Sequence, residues 1–480
     1  MRCLLVEDEA LRIEEIKPEL EKHFGAGNVE VAEDRDAAIV QISARAFDLI
    51  VLDQRIPTAA GQLDPDVEHG RAVLAHIQGT VPDTPVYFFT ALPMEDDYID
   101  EIINNGRRCD VWGDRQPIVL VRRFSKATPA PFYDAVKQIA DTARITAAIE
   151  INTKGAGLAL DDAEMRLLKC FARRQNGECV DVEMLSDGLS GANVLKTNIK
   201  DLNGGLRISA ATKLGRPSLI ARELGCYDPE IVRLPATTYA PIVSTDMPRI
   251  GGKQGAFYRL ADGFNRPLFE VLFSSDMDAA ACVRALQAAE RPWFDNHTTR
   301  LMPISEMAKL IVHEDRLAGV HAELAGVDWQ KFEDREVRSY ACTRHGDLHG
   351  ENARVDAGNR VVLIDYGSVR TLPSAIDAIT LELSPVFHPH GRRDLLKWVP
   401  GDGPIDWFDR QAFCRLLAIP EYVNAARDWA HAEAYGDREV IACAYAYVLR
   451  QISLSLIKPE WSDKDLAVAI AKGIIARGMP

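Results

Sequence analysis

Long apolar runs, paired cysteines and an excess of basic charge are all missing from this 480-residue chain, and each absence narrows the choice of function. No apolar run approaches the roughly 18 residues a membrane span requires, so no membrane association is expected. The nine cysteines (Cys3, Cys109, Cys170, Cys179, Cys226, Cys282, Cys342, Cys414 and Cys443) stand singly, with no C-x-x-C pair. An odd, unpatterned set argues against a disulfide scaffold and fits reduced thiols in the cytoplasm. The opening "MRCLLVEDE" turns acidic too soon for a signal peptide. A net charge of −15 offers no electrostatic footprint for nucleic acid, so the expected partners are proteins and small ligands that bring their own magnesium. What is present is ordinary globular composition, 47% hydrophobic and 26% charged, over a length that calls for two or three domains.

The first 140 or so residues alternate short apolar runs with amphipathic stretches. "RCLLV" is followed by a helical stripe at Leu11, Ile13, Ile16, Leu20 and Phe24, then "VEVAED", "DLIVLD", "VYFFTA" and "IVLVRRF" with helices between them. Continuous apolar runs of this length suit a parallel sheet covered on both faces. The expectation is five strands and five helices, doubly wound. The helix beginning near Ala130 leads into connecting helices, and "NGG" at Asn203–Gly205 signals a hairpin in a strand-rich segment. From Asp276 onward the chain is mostly helical.

In an open parallel sheet, ligands collect at the carboxyl ends of the strands. Glu7 and Asp8 close the first strand and Asp53 the third. Three converging carboxylates repel one another unless a divalent cation joins them. Thr90 closes the fourth strand and Lys126 follows the fifth, giving a hydroxyl and an ammonium for a transferred phosphoryl group. These residues resemble the receiver domain of bacterial two-component response regulators. The resemblance implies a flavodoxin-like domain over residues 1–145, with Asp53 as phospho-acceptor and Glu7, Asp8 and Asp53 as magnesium ligands. It further implies Thr90 and Lys126 as switch residues, a sensor histidine kinase or phosphotransfer protein as donor, and the option of a homodimer through the receiver. The chain departs from the family at Arg123, where a switch aromatic is usual, at Ala127, where a proline is usual, and in a longer stretch between Thr90 and Lys126.

The second constellation is "RHGDLHGENARVDAGNRVVLIDYGSV", Arg344–Val369. His345 and His349 are spaced i, i+4, but Gly346 and Gly350 oppose a helix and no third zinc ligand is close by. A serine-hydrolase elbow is absent, because Gly191 directly follows Ser190. Phosphoryl transfer from ATP explains more positions: Asp347 as acceptor of the substrate's proton, and Asn352 and Asp365 as magnesium ligands, with a short hairpin between them. "HGDLHGEN…LIDYGS" resembles the aminoglycoside and choline kinase-like phosphotransferases, relatives of the protein kinases. The resemblance makes His345 and His349 scaffold residues of the catalytic loop and Asp377 its brace. Upstream, Gly188, Ser190 and Gly191 are candidates for a glycine turn over the ATP phosphates. Lys213 and Glu223 are candidates for the lysine–glutamate pair that serves catalysis and ATP binding.

The expected architecture is multidomain: an α/β doubly wound five-stranded parallel sheet followed by an α+β bilobal protein-kinase-like domain. Its boundaries are 1–145 for the receiver, 146–180 for connecting helices, 181–265 for the N-lobe and 266–480 for the helical C-lobe. The expected function is a cytoplasmic response regulator whose output is an ATP- and Mg2+-dependent phosphotransferase gated by aspartate phosphorylation. Two other classes compete with it, a non-catalytic pseudo-kinase adaptor and a DNA-binding response regulator using "DDAEMRLLKCFARRQ". The acceptor of the phosphoryl group is not written in these motifs.

Overall fold

A computed structural model describes residues 1–91, 101–103, 106–155, 158–187, 191–261 and 263–479. The chain clusters into two compact units, Met1–Ala221 with Ile242–Arg259, and Arg222–Pro241 with Leu260–Pro480.

The first unit opens with the expected parallel sheet. Strands β1 (Cys3–Val6), β2 (Val29–Ala32), β3 (Leu49–Leu52) and β4 (Val86–Thr90) are followed by β5 (Arg108–Cys109), β6 (Ile118–Val119) and β7 (Val121–Ser125). The sheet order is β2-β1-β3-β4-β7, all neighbours parallel. Successive side chains on a strand point to opposite faces, so each apolar run feeds two cores. Cys3, Leu5, Leu49, Val51, Tyr87 and Phe89 pack with helices Ala10–Phe24 and Ala130–Ala147. Leu4, Val6, Ile50, Leu52, Val86 and Phe88 pack on the other face with helices Arg35–Ala44 and Val67–Thr80.

One expected strand is divided. "IVLVRRF" is not continuous: Ile118–Val119 pairs antiparallel with Arg108–Cys109, and only Val121–Ser125 joins the main sheet. The extra length between Thr90 and Lys126 thus contains an inserted hairpin, which docks on helix Asp162–Arg174. Cys170 donates its Sγ proton to the Val111 carbonyl at 3.2 Å, and Thr146 Oγ1 donates to the Trp112 carbonyl at 2.9 Å. Arg174, buried like Asp110, donates to the Asp110 carboxylate from Nε at 3.0 Å and from Nη2 at 2.8 Å. Asp110 also accepts from the backbone of Asp114 and Arg115.

The connection at 146–180 also differs from expectation, for it contains a strand beside its helix. Strand β8 (Glu150–Lys154) lies parallel to β9 (Cys179–Asp187). Its polar sequence, EINTK, gave no apolar signal because it is a mostly exposed edge strand. The sheet continues with β10 (Asn193–Lys200), β11 (Leu206–Gly215), β12 (Ile242–Ser244) and β13 (Gln254–Arg259) in the order β12-β13-β11-β10-β9-β8. The β10–β11 turn is at Asn203–Gly205, where the "NGG" signal placed it.

In the second unit, helix Asp437–Ile457 packs against helices Ile304–Lys309, Glu314–Glu323, Ile376–Phe387 and Lys464–Arg477. By length and composition it could cross a membrane, yet it is mostly buried within the fold. Reading for unbroken apolar runs missed this helix because Arg450 interrupts it. Strand Glu336–Arg344, between Thr298–Pro303 and Arg370–Pro373, delivers the chain into the second constellation.

The hairpin's docking makes Gly113 irreplaceable. It has φ of 74°, and an added Cβ would fall 2.0 Å from the Cys170 carbonyl oxygen, whereas Gly27, at φ of 78°, has nothing within 4 Å. Gly27→Ala is expected to cost about 1 kcal/mol, the left-handed penalty alone. Gly113→Ala adds overpacking of about 1–3 kcal/mol, so its loss of melting temperature should be at least double. Equal losses in the two variants would show that the hairpin is not held on the helix.

Candidate phospho-acceptor and phosphotransfer sites

At the carboxyl ends of the parallel strands, Glu7, Asp8 and Asp53 each offer an oxygen, all within 4.8 Å of one another. Lys126 Nζ donates to Glu7 Oε2 and Asp53 Oδ2, both at 2.6 Å. Its backbone N–H donates to the Thr90 carbonyl at 2.9 Å, tying the ends of β4 and β7 together. Burial raises the Glu7 carboxyl above its ordinary range although Lys126 pulls it down, and burial also raises Asp8. Burial disfavours the charged Lys126 ammonium, but Asp53 and Glu7 outweigh this and raise its pKa. Three carboxylates against one ammonium leave two negative charges, a hard oxygen donor set that fits Mg2+. Among the described residues this is the only group of three or more carboxylate, thiol or imidazole ligands close enough to share one ion. His345 and His349 form no such group.

The second constellation is organised by Asp377. From helix Ile376–Phe387 its Oδ2 accepts the His345 N–H at 2.7 Å and its Oδ1 accepts the Gly346 N–H at 2.9 Å. Gly346 has φ of 75°, and a Cβ there would lie 2.7 Å from the Ser368 carbonyl oxygen, so the turn requires glycine. His345 bonds the Ile364 carbonyl through Nε2 at 3.0 Å. Asn352 Nδ2 donates to the Asp347 carbonyl at 2.8 Å, and the Ile364 N–H donates to the Asn352 carbonyl at 3.0 Å. Asn352 also contacts His349 Nε2 at 3.2 Å. The loop, the hairpin and the residue before Asp365 are therefore joined by hydrogen bonds. Asp365 itself is left-handed, with φ of 62°, a conformation Asp adopts more readily than most residues.

Two arginines here carry no motif signal. Arg344, fully buried, donates to Glu290 at 3.0 Å and to Glu433 at 2.5 Å, fixing the chain just before the loop. Burial, with Asp377 and Glu433 nearby, pushes the Glu290 carboxyl well up despite that partner. Arg450 Nη2 donates to Asp347 Oδ1 at 2.7 Å. Burial would raise the Asp347 carboxyl, but Arg450 and His349 prevail and hold it well below the usual range.

The remaining candidates stand as follows. Gly188 and Ser190 lie outside the described residues, and Gly191 is exposed. Lys213 lies near the end of β11, between Val194 and Ala256, and is buried. Glu223 is fully buried on helix Pro217–Glu230. Lys213 belongs to the first unit, and Glu223, Asp347, Asn352 and Asp365 to the second.

Asp377→Ala removes the acceptor of two buried N–H groups. At roughly 1.5–3 kcal/mol for each charged hydrogen bond, it should destabilise the protein by about 3 kcal/mol or more. Asp377→Asn, with one carbonyl oxygen, should fall between this variant and the wild type. Denaturant titration followed by intrinsic fluorescence checks the order, and near-wild-type stability of the alanine variant would remove Asp377 as the organiser of the loop.

Residues 3–107 match the family model of the response regulator receiver domain, ending one residue before the inserted hairpin begins. No curated protein matches the chain. Among solved structures, a thermostable mutant of aminoglycoside phosphotransferase APH(4)-Ia, in ternary complex with AMP-PNP and hygromycin B, is 14% identical. That match covers 62% of this chain and 93% of the other, at a TM-score of 0.38. ADP-bound aminoglycoside phosphotransferase APH(2'')-Ib is 13% identical over 66% of this chain and 100% of its own, at 0.37. The Francisella response regulator 1452 receiver domain is 20% identical over 29% and 96%, at 0.20. Residues 3–107 thus match the response regulator receiver domain, within a multidomain chain.

Proposed function

We propose that the protein is a response regulator whose output is an ATP- and Mg2+-dependent phosphotransferase gated by phosphorylation of Asp53. A sensor histidine kinase or phosphotransfer protein would supply the phosphoryl group to the Asp53 carboxylate. Thr90 and Lys126 would then hydrogen-bond its oxygens. In the output domain, Asn352 and Asp365 would hold Mg2+, which neutralises charge on the transferring phosphate when bound. Lys213 and Glu223 would serve ATP binding, and Asp347 would receive the proton of the acceptor hydroxyl.

The observation that carries the output reading is the hydrogen-bonded closure of Asp347, Asn352 and Ile364 under the Asp377 brace. These bonds join the loop that carries Asp347 and Asn352 to the residue before Asp365, and fixed positioning of this kind is what phosphoryl transfer demands. Gating has a physical route within the first unit. β4 and β7 end at the phospho-acceptor site, and the segment between them carries the hairpin locked to helix Asp162–Arg174. Arg123 replaces the usual aromatic relay, so the hairpin would carry the shift.

A second reading, a non-catalytic adaptor, draws on Arg450, which occupies one oxygen of Asp347. Incubation with γ-labelled ATP and Mg2+ separates the two. Transfer of label to an added acceptor or to the chain's own hydroxyls supports the enzyme, and no transfer under any condition supports the adaptor.

Acetyl phosphate or beryllofluoride should modify the wild type at Asp53 and leave Asp53→Asn unmodified, as read by intact mass or fluorine NMR. Equal modification of both would reassign the phospho-acceptor. Mg2+–ATP should raise the melting temperature by mass action, and Asp365→Ala should lose the magnesium-dependent part of that rise. Asp347→Asn should keep ATP affinity while kcat falls by about 10²–10⁴, the usual contribution of a general base. Near-normal kcat in Asp347→Asn would mean that another group handles the proton.

A further inference from the structure

We propose that the acceptor bound beside Asp347 is an anionic alcohol, carrying a phosphate or carboxylate close to its reacting hydroxyl, and that Arg450 binds this anion. The proposal rests on the phosphotransferase reading above and adds the acceptor's chemical class.

Arg450 stands on the long helix Asp437–Ile457, whose neighbouring positions Val448, Leu449, Gln451 and Ile452 are all buried. A guanidinium in so apolar a helix is costly unless it is paired. One of its nitrogens, Nη2, is paired with Asp347 at 2.7 Å. Nε and Nη1 have no protein hydrogen-bond partner among the described residues. The Arg450 and Asp347 side chains keep 22% and 26% of their surface exposed, so the pair faces open space. Arginine presents its donors as a planar fork that matches the two oxygens of a carboxylate or phosphate. Two donors of that fork are still open, next to the proposed base.

The surroundings add positive charge. Arg370 is held by the Ser368 carbonyl at 3.0 Å and the Leu310 carbonyl at 2.8 Å, and it feels the repulsion of both Arg450 and Arg222. Arg222 is exposed and makes no side-chain hydrogen bond or ion pair among the described residues. Of the nearby carboxylates, Asp377 is committed to the His345 and Gly346 N–H groups. Arg450 and Arg370 both act on Asp347, while Asp365 and Glu351 are the further carboxylates around His349. A polycationic acceptor would meet like charge at the point of reaction, whereas an anionic one would be drawn in and oriented.

The chemistry balances. The acceptor's hydroxyl oxygen forms a bond to the γ-phosphorus of ATP as the bond from that phosphorus to the β–γ bridging oxygen breaks. ADP leaves with that electron pair, and the hydroxyl proton passes to the Asp347 oxygen not held by Arg450, then to solvent. The acceptor's own anion stays on Arg450 throughout.

The test uses the full-length protein saturated with Mg2+–ADP, titrated calorimetrically with glycerol 3-phosphate, D-glycerate, glycerol and choline. At least one of the two anions should bind about tenfold or more tighter than glycerol, the scale of one charge-assisted hydrogen bond, and choline should bind weakest. Comparing the two anions tells phosphate from carboxylate. Arg450→Gln should abolish the preference for the anion over glycerol and Arg450→Lys should retain part of it, with melting temperature and Mg2+–ADP affinity close to wild type in both. A merely structural Arg450 would lower stability and leave the charge preference intact. Choline binding as tightly as the anions, anion affinity unchanged in Arg450→Gln, or no anion binding to the Mg2+–ADP complex would each overturn the proposal. Failure of the wild type to bind Mg2+–ADP at all would instead overturn the phosphotransferase reading, and this proposal with it.

Discussion

A carboxylate removed from water must be given a cation or a set of N–H donors, and that requirement shapes both units of this chain. Glu7, nearly inaccessible, is answered by Lys126; Asp110 by Arg174; Glu290 and Glu433 by Arg344; Asp377 by two backbone N–H groups. None of these partners is local: the positions they join lie between 31 and 119 residues apart. Each pair is therefore a constraint on tertiary structure, and together they determine where strand ends and loops are held.

The consequences are most direct around the two constellations. Without Asp377 the turn at His345–Gly346 would bury two unsatisfied donors, and the left-handed glycine would lose the contacts that justify it. Without Lys126, the three acids at the end of the parallel sheet would repel one another until a metal ion joined them. Both sites are built from groups whose charges are costly apart and stable together. That is why isolated removal of one partner should disturb the site more than the contact's net contribution to folding suggests.

Much of this was legible in the sequence where chemistry and periodicity coincide. The four-residue apolar runs before Glu7, Asp53 and Thr90 announced buried parallel strands, and the acids at their ends marked the site. Asp377 could be recognised as a brace only through resemblance, since a lone aspartate 30 residues downstream has no spacing rule of its own. The inserted hairpin was visible only as excess length, because its strands are two residues each. Strand Glu150–Lys154 was not visible at all: a polar edge strand is specified by the neighbour it pairs with. Arg450 escaped for a related reason. Its role depends on the packing of a helix 103 residues beyond Asp347, and packing of that kind leaves no local pattern.

In both constellations a cation already rests on the carboxylate assigned to react, Lys126 on Asp53 and Arg450 on Asp347. At Asp347 that cation holds the resting carboxyl below its usual range, so its value must lie later, when a more highly charged group arrives. At Asp53 the consequence extends to Glu7. Lys126 bridges both acids, and moving its ammonium toward a phosphoryl oxygen would strip Glu7 of its partner while Glu7 stays buried. A divalent ion shared by Glu7, Asp8 and Asp53 would supply the missing charge. Metal binding would then precede the lysine's release, and a phosphoryl group would reach Asp53 only after the neighbouring acids had been neutralised.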